Sequence, residues 1–264
     1  MASAEPEIAQ LTWRGKPLRL EYQWVGGADS RLAPLVFLHE GLGSLAMWKD
    51  FPARLCEASG LRGMVFSRYG YGQSTPKPSD EQWSPDFMHA QAFDVLPVLF
   101  DALHIEKPWL FGHSDGGSIA LLYASRFAVS GVIAVAPHIF VEDCSIASIE
   151  AAREAYASTD LRARLARYHF DPDSAFLGWN DVWLNPAFRD WNIEAELDAI
   201  RAPVFAVQGL DDEYGSLAQI HGIQRALPKT RLLMIEKCAH SPHRDQPDLL
   251  IREAARFIFD QTIT

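Results

Sequence analysis

The sequence predicts a mostly parallel, doubly wound α/β sheet carrying a helical insertion, and two observations point that way. Short apolar runs of strand length, ending in turn residues, alternate with stretches of helical spacing. That alternation is the chain order of a parallel sheet wound by crossover helices. It stops between about residues 138 and 200, where helical spacing alone continues.

In chain order, residues 18–22 read as a strand before a Gly-Gly turn, and the short apolar run 34–39 as a second. Helical spacing follows over 45–58, a strand over 63–67 and a helix over 85–103. The strand at 108–113 leads into a helix at 116–127, and the strand at 131–136 precedes the insertion. Inside the insertion, 151–168 and 173–184 have helical spacing. The final pattern is strand 203–208, helix 217–226, strand 231–235 and helix 247–260. A segment as long as 139–199 with helices of its own is expected to cap the sheet, leaving 1–138 and 200–264 as one core.

Composition sets the class. The 264 residues are 48% hydrophobic and 22% charged, which suits a globular chain with a large core. The net charge of −10 repels the phosphates a nucleic-acid binder must neutralise, so no nucleic-acid partner is expected. No apolar run is long enough for a membrane span, and MASAEPEIAQ lacks the regions of an export signal. Cys56, Cys144 and Cys238 suit neither a disulfide framework nor a CxxC metal site, and a reducing cytoplasm is the expected location. Cys144 and Cys238 are expected to be packing residues. The histidines show no H-x-x-x-H or H-x-H spacing, so no metal and no cofactor is expected. Oligomeric state is not readable here.

The strongest local signal is Gly112-His113-Ser114-Asp115-Gly116, a G-x-S-x-G set between a strand-like and a helix-like run. A nucleophile on a sharp strand-to-helix turn crowds the neighbouring backbone, which demands glycine on both sides. The helix that follows aims its N-terminal amides at the place where an oxyanion would form. Serine needs a base, and the base needs an orienting acid. The loop after strand 203–208 supplies Asp211, Asp212 and Glu213, and the loop after strand 231–235 supplies His240. In a parallel sheet these loops share one rim with Ser114. His113 is expected to point back and pack, and His243 to be structural.

These residues carry a resemblance to the α/β-hydrolase family over nearly the whole chain. Leu38-His39-Glu40-Gly41-Leu42-Gly43-Ser44 with Trp48 resembles the family's first loop, L-H-G-x-x-x-S…W, and Gly70-Tyr71-Gly72-Gln73-Ser74 resembles its G-x-G-x-S turn. The order Ser114, Asp, His240 matches the family's nucleophile, acid and base. The resemblance places the acid at Asp212 and the oxyanion donors on the amides of Gly41 and Asp115. It departs from the family at Glu40, usually glycine, and at Ser67-Arg68-Tyr69, often D-x-R. Arg68 is expected to pair with Glu40.

The chain resembles the valacyclovir hydrolase type of the family in its L-G-S loop, its S-D-G-G elbow and the acidic Val141-Glu142-Asp143. That likeness implies an ammonium-binding role for Asp115; helix capping is the alternative. Phe176, Trp179 and Trp183 fall on one helical face, as cap core or as the roof of an acyl pocket, with Trp179 and Trp183 the residues expected to touch substrate. The expected activity is cofactor-free serine hydrolysis of small carboxylic esters, with thioesters and lactones in range. The alternatives are a carbon-carbon bond hydrolase of aromatic degradation, a cofactor-free haloperoxidase and a non-catalytic small-ligand receptor.

Overall fold

The structure, a computed structural model, describes residues 5–27 and 32–262. Met1 to Ala4, part of the stretch read for an export signal, lie outside the described residues. Among the described residues eight strands form one sheet: β1 (Glu7–Trp13), β2 (Lys16–Gly26), β3 (Leu35–Leu38), β4 (Arg62–Phe66), β5 (Trp109–His113), β6 (Gly131–Val135), β7 (Val204–Gly209) and β8 (Arg231–Ile235). Their order is β1-β2-β4-β3-β5-β6-β7-β8, with the β1–β2 and β2–β4 pairs antiparallel and every other pair parallel.

Period-two alternation divides the apolar residues of each central strand between two cores. Val36, Leu38, Leu110, Val132, Ala134 and Ala206 face one layer of helices, and Leu35, Phe37, Phe111, Ile133, Val135 and Val207 face the other. Burial on both faces explains why these strands read as unbroken apolar runs.

The predicted α/β sheet is present, with local differences. The sequence reading missed β1, although Ala9 and Leu11 alternate with polar residues and Arg14-Gly15, both at positive φ, make its hairpin turn to β2. The expected helix 45–58 is broken at Lys49 (φ 53°) into a short 3₁₀ turn, Leu45–Trp48, and the helix Phe51–Ser59. The expected helix 85–103 passes through a π-helical turn, Gln91–Val95, immediately before Leu96–Ala102. Pro97 cannot donate to the turn before it, and the wider turn absorbs the misfit. Cys144 is exposed at the start of a helix, not packed, whereas Cys238 is buried.

Between β6 and β7 the described structure is helical: Asp143–Ser158, Leu161–Leu165, Pro172–Trp183 and two short turns. The expected helix 151–168 therefore begins earlier and breaks after Ser158. The segment leaves and returns at one point, because Ile193 N–H donates to the Ile139 carbonyl (2.8 Å) and Phe140 bridges Asn192. Asp171 caps Pro172–Trp183 by accepting from Ser174 N–H (2.9 Å). This helix carries Trp179 and Trp183 to the rim where β3, β5, β7 and β8 end.

Candidate active site

Ser114 occupies the turn between β5 and the helix Asp115–Arg126 with φ 54° and ψ −122°, a conformation costly for any residue with a Cβ. The flanking glycines make the turn possible. A Cβ at Gly112 would collide with the Gly116 carbonyl, and one at Gly116 with the Leu38 carbonyl on the neighbouring strand. Ser114 N–H is anchored to the Val135 carbonyl (2.9 Å), so β6 holds the turn from the side.

The loops after β7 and β8 bring Asp212 and His240 to this serine. His240 Nε2 lies 2.9 Å from Ser114 Oγ, and its Nδ1 lies 2.8 Å from Asp212 Oδ1. An ionised carboxylate only accepts, so Nδ1 carries the proton and Nε2 is left to accept from the serine hydroxyl. Asp212 also accepts from Gln208 Nε2 (2.6 Å) and from the amides of Tyr214 (2.9 Å) and Gly215 (3.3 Å). Burial pushes its carboxyl up, but the His240 bond, the His240 charge and the Tyr214 amide outweigh it and hold it below the usual range.

Asp211 and Glu213 do not reach the His240 ring. Asp211 pairs through its backbone with the Cys238 carbonyl, and Glu213 accepts the main-chain N–H of His240 (3.2 Å). His113 is buried and donates from Nε2 to the His240 carbonyl (2.7 Å), so both main-chain groups of His240 are tied. His243 packs behind it against His113, Trp48 and Phe51.

The first loop is built around the carbonyl of Glu40. It accepts from His39 Nδ1 (2.7 Å), Arg68 Nη2 (2.9 Å) and Gly43 N–H (3.1 Å). His39 Nε2 in turn accepts from Arg68 N–H (2.9 Å), which fixes the neutral tautomer with its proton on Nδ1. Burial and the Arg68 charge hold His39 well below the ordinary histidine range.

The expected Arg68–Glu40 ion pair is not formed. Arg68 takes the Glu40 carbonyl instead, while the Glu40 carboxylate turns outward to Arg244 Nη2 (3.0 Å) and stands 3.5 Å from His113 Nδ1. The loop folds the Glu40 side chain over Gly43, where a Cβ would meet its carboxylate. Gly41 has no room for a side chain because the Trp179 indole packs on it.

Asp115 begins the elbow helix with its carboxylate fully buried. Oδ1 accepts from Trp183 Nε1 (3.2 Å) and Oδ2 faces Arg68 Nη2 at 3.8 Å. Burial raises its carboxyl to about 6 against the pull of Arg68 and Trp183. Among the described residues Oδ1 accepts only from Trp183 and Oδ2 from no donor, so the side chain makes no capping bond to the helix amides.

Glu40, Gly41 and Asp115 line a cleft of about 160 Å³ with Ser114 and His240 on its floor and Trp179 and Trp183 above. Phe176 lies behind, stacked on Tyr156 (3.8 Å between centroids). Sequence reasoning missed Tyr214, Arg244 and His138, which also line the cleft. A usable signal existed for His138, which follows β6 on the same rim as Ser114. Burial drives its ring down to about 3. Gln208, the one polar side chain on β7, was another.

Residues 35–253 match the profile described as the alpha/beta hydrolase family. The chain belongs to the alpha/beta hydrolase family. A hydrolase of Agrobacterium fabrum named "Putative carbamate hydrolase RutD" is 26% identical, over 90% of this chain and 98% of its own. The same hydrolase fold is seen in a proline iminopeptidase of Mycobacterium smegmatis (TM-score 0.77, 17% identity, 97% of this chain and 99% of that one). It is also seen in a thermophilic esterase of Thermogutta terrifontis (TM-score 0.73, 17% identity, 97% and 99%). Among the described residues no helix is long and apolar enough to cross a membrane.

Proposed function

We propose that this alpha/beta hydrolase cleaves small carboxylic esters through an acyl-enzyme on Ser114, with thioesters and lactones within its chemical reach. The observation that carries the reading is the continuous hydrogen-bonded chain Asp212–His240–Ser114 at the floor of a small cleft.

In this mechanism His240 Nε2 takes the Ser114 proton as Oγ attacks the substrate carbonyl. The oxyanion of the tetrahedral intermediate accepts from the amides of Gly41 and Asp115. His240 returns the proton to the leaving alcohol, the acyl group stays on Oγ, and a water activated by the same imidazole releases the acid. Asp212 keeps its charge throughout and stabilises the imidazolium. Esters, carbamates and amides share this intermediate, so the names of the relatives agree on bond chemistry and differ in substrate.

The cleft volume favours a short or compact acyl group under Trp179 and Trp183. Arg68 beside Asp115 offsets the charge that an ammonium-binding role would use, which favours neutral esters over aminoacyl ones. The intact chain of three side chains favours hydrolysis over a ligand receptor. No nucleic-acid or membrane partner enters this reading, and a cytoplasmic location goes with it.

The test is a panel of short acyl, aromatic and aminoacyl esters and acyl thioesters, run beside labelling with a serine-directed phosphonate. Wild-type protein should turn over short neutral esters and take the label on Ser114. Ser114→Ala should lose the label and about 10⁴- to 10⁶-fold in kcat with its fold intact. A folded Ser114→Ala protein retaining most activity would overturn the reading.

A further inference from the structure

Arg68 is 1% exposed, and nothing in the proposed chemistry requires a buried cation there. Its Nε and Nη1 have no hydrogen-bond partner among the described residues, and its ring neighbour is Tyr71, 4.6 Å below the guanidinium. Taking a guanidinium out of water is costly, and an apolar side chain of similar length would fill the space more cheaply. What Arg68 does touch is specific. Nη2 donates to the Glu40 carbonyl, and the same side chain faces the carboxylate of Asp115.

The Glu40 carbonyl and the Gly41 N–H are the two ends of one trans peptide and point in opposite directions. Among the described residues no acceptor pairs with the Gly41 N–H, and Gly41 lines the cleft beside Ser114. A cation on the carbonyl end fixes the plane of that peptide and draws electron density toward oxygen, which makes the N–H at the other end a stronger donor. His39 adds a second, neutral donor on the same oxygen, and its orientation is set by the Arg68 main chain. The second oxyanion amide belongs to Asp115, whose carboxylate lies against Arg68 on the other side.

We infer that Arg68 is a positioning residue for the oxyanion site: its guanidinium holds and polarises the Glu40–Gly41 peptide, so that the Gly41 amide binds the developing oxyanion more tightly than the substrate carbonyl. The inference rests on the acyl-enzyme reading. It extends that reading to a residue that touches neither substrate nor the three-residue chain. An effect confined to the transition state lowers kcat and leaves KM alone.

The experiment compares Arg68→Lys, Arg68→Gln and Arg68→Met with wild type on a short neutral ester. Affinity for a trifluoromethyl ketone, whose serine adduct places an oxyanion in the same site, is measured alongside. Removing one oxyanion donor costs about 10²- to 10³-fold, and weakening one should cost roughly 10- to 100-fold.

Arg68→Met should therefore lose about that much in kcat at near-constant KM, with ketone affinity falling by the same factor. Gln, a neutral donor, should lie between Met and Lys, and the acid limb of the kcat/KM profile should not move. Thermal melts establish folding, and if Met fails to fold, the Gln variant carries the test. Unchanged ketone affinity in a folded Gln or Met variant, or a loss confined to KM, would overturn the inference while leaving the function intact. Absence of ester turnover and of phosphonate labelling in wild type would overturn both.

Discussion

Arg68 Nη2 and Asp115 Oδ2 face each other at 3.8 Å, both side chains buried behind the serine they flank. Asp115 is thus a partly neutralised carboxylate inside the protein, which sets how its charge acts on substrates and on stability.

Substrate choice follows from that pairing. Asp115→Asn keeps the shape and the main-chain amide but removes the charge, and kcat/KM for aminoacyl and matched neutral esters should change by similar factors. A loss restricted to aminoacyl esters, of about 10- to 150-fold, would instead assign ammonium binding to this carboxylate.

Stability should depend on pH through the same group. A free aspartate titrates near ~3.9, whereas folding raises Asp115 to about 6. Between those values the folded state binds the extra proton, so this group's contribution favours folding at low pH and is lost as pH rises through about 6. Melting temperatures of Asp115→Asn and wild type, measured at pH 4.5 and pH 7, should differ more in the variant's favour at pH 7. A difference independent of pH would show that the carboxyl is not raised.

The acid assignment separates neighbours one residue apart. Asp212→Asn should lower kcat severely, by up to about 10⁴-fold, because the amide cannot hold the His240 tautomer. Asp211→Asn should be mild, since its contact to Cys238 is through the main chain. Steady-state kinetics on both variants decides, and the reverse pattern would move the acid to Asp211.

The rate should fall on acidification, because the proposed mechanism needs a neutral His240 as base. His138 is driven down to about 3, and His39 and His243 lie well below the ordinary histidine range, so these three add nothing between pH 5 and 8. Asp115 does titrate there, and the limb should therefore persist in Asp115→Asn. A flat kcat/KM profile over that range in both proteins, with a substrate that does not titrate, would count against a histidine base.

The sequence by itself determined the parallel sheet and the shared rim of Ser114, the acidic loop 211–213 and His240, because both depend on local rules, whereas the choice of Asp212 within that loop came from the family resemblance. Strands buried on both faces must be apolar runs, and a serine held at positive φ between two helix- and strand-packed turns demands Gly112 and Gly116. Residues at the C-terminal ends of parallel strands then meet at one rim without further information. The edge strand β1 and the breaks at Lys49 and Gln91–Val95 were harder to read, since an edge strand buries only part of its residues and a single positive φ or wide turn leaves the hydrophobic period nearly intact. Only the tertiary structure decided the partners of the charged groups. Glu40 and Arg68 sit at the ends of adjacent strands, yet the guanidinium turns inward to a carbonyl and to Asp115 while the carboxylate turns outward to Arg244, from 204 residues away in the chain. Such choices depend on which polar atoms burial leaves within reach, and that is set by packing among distant segments, which no local pattern encodes.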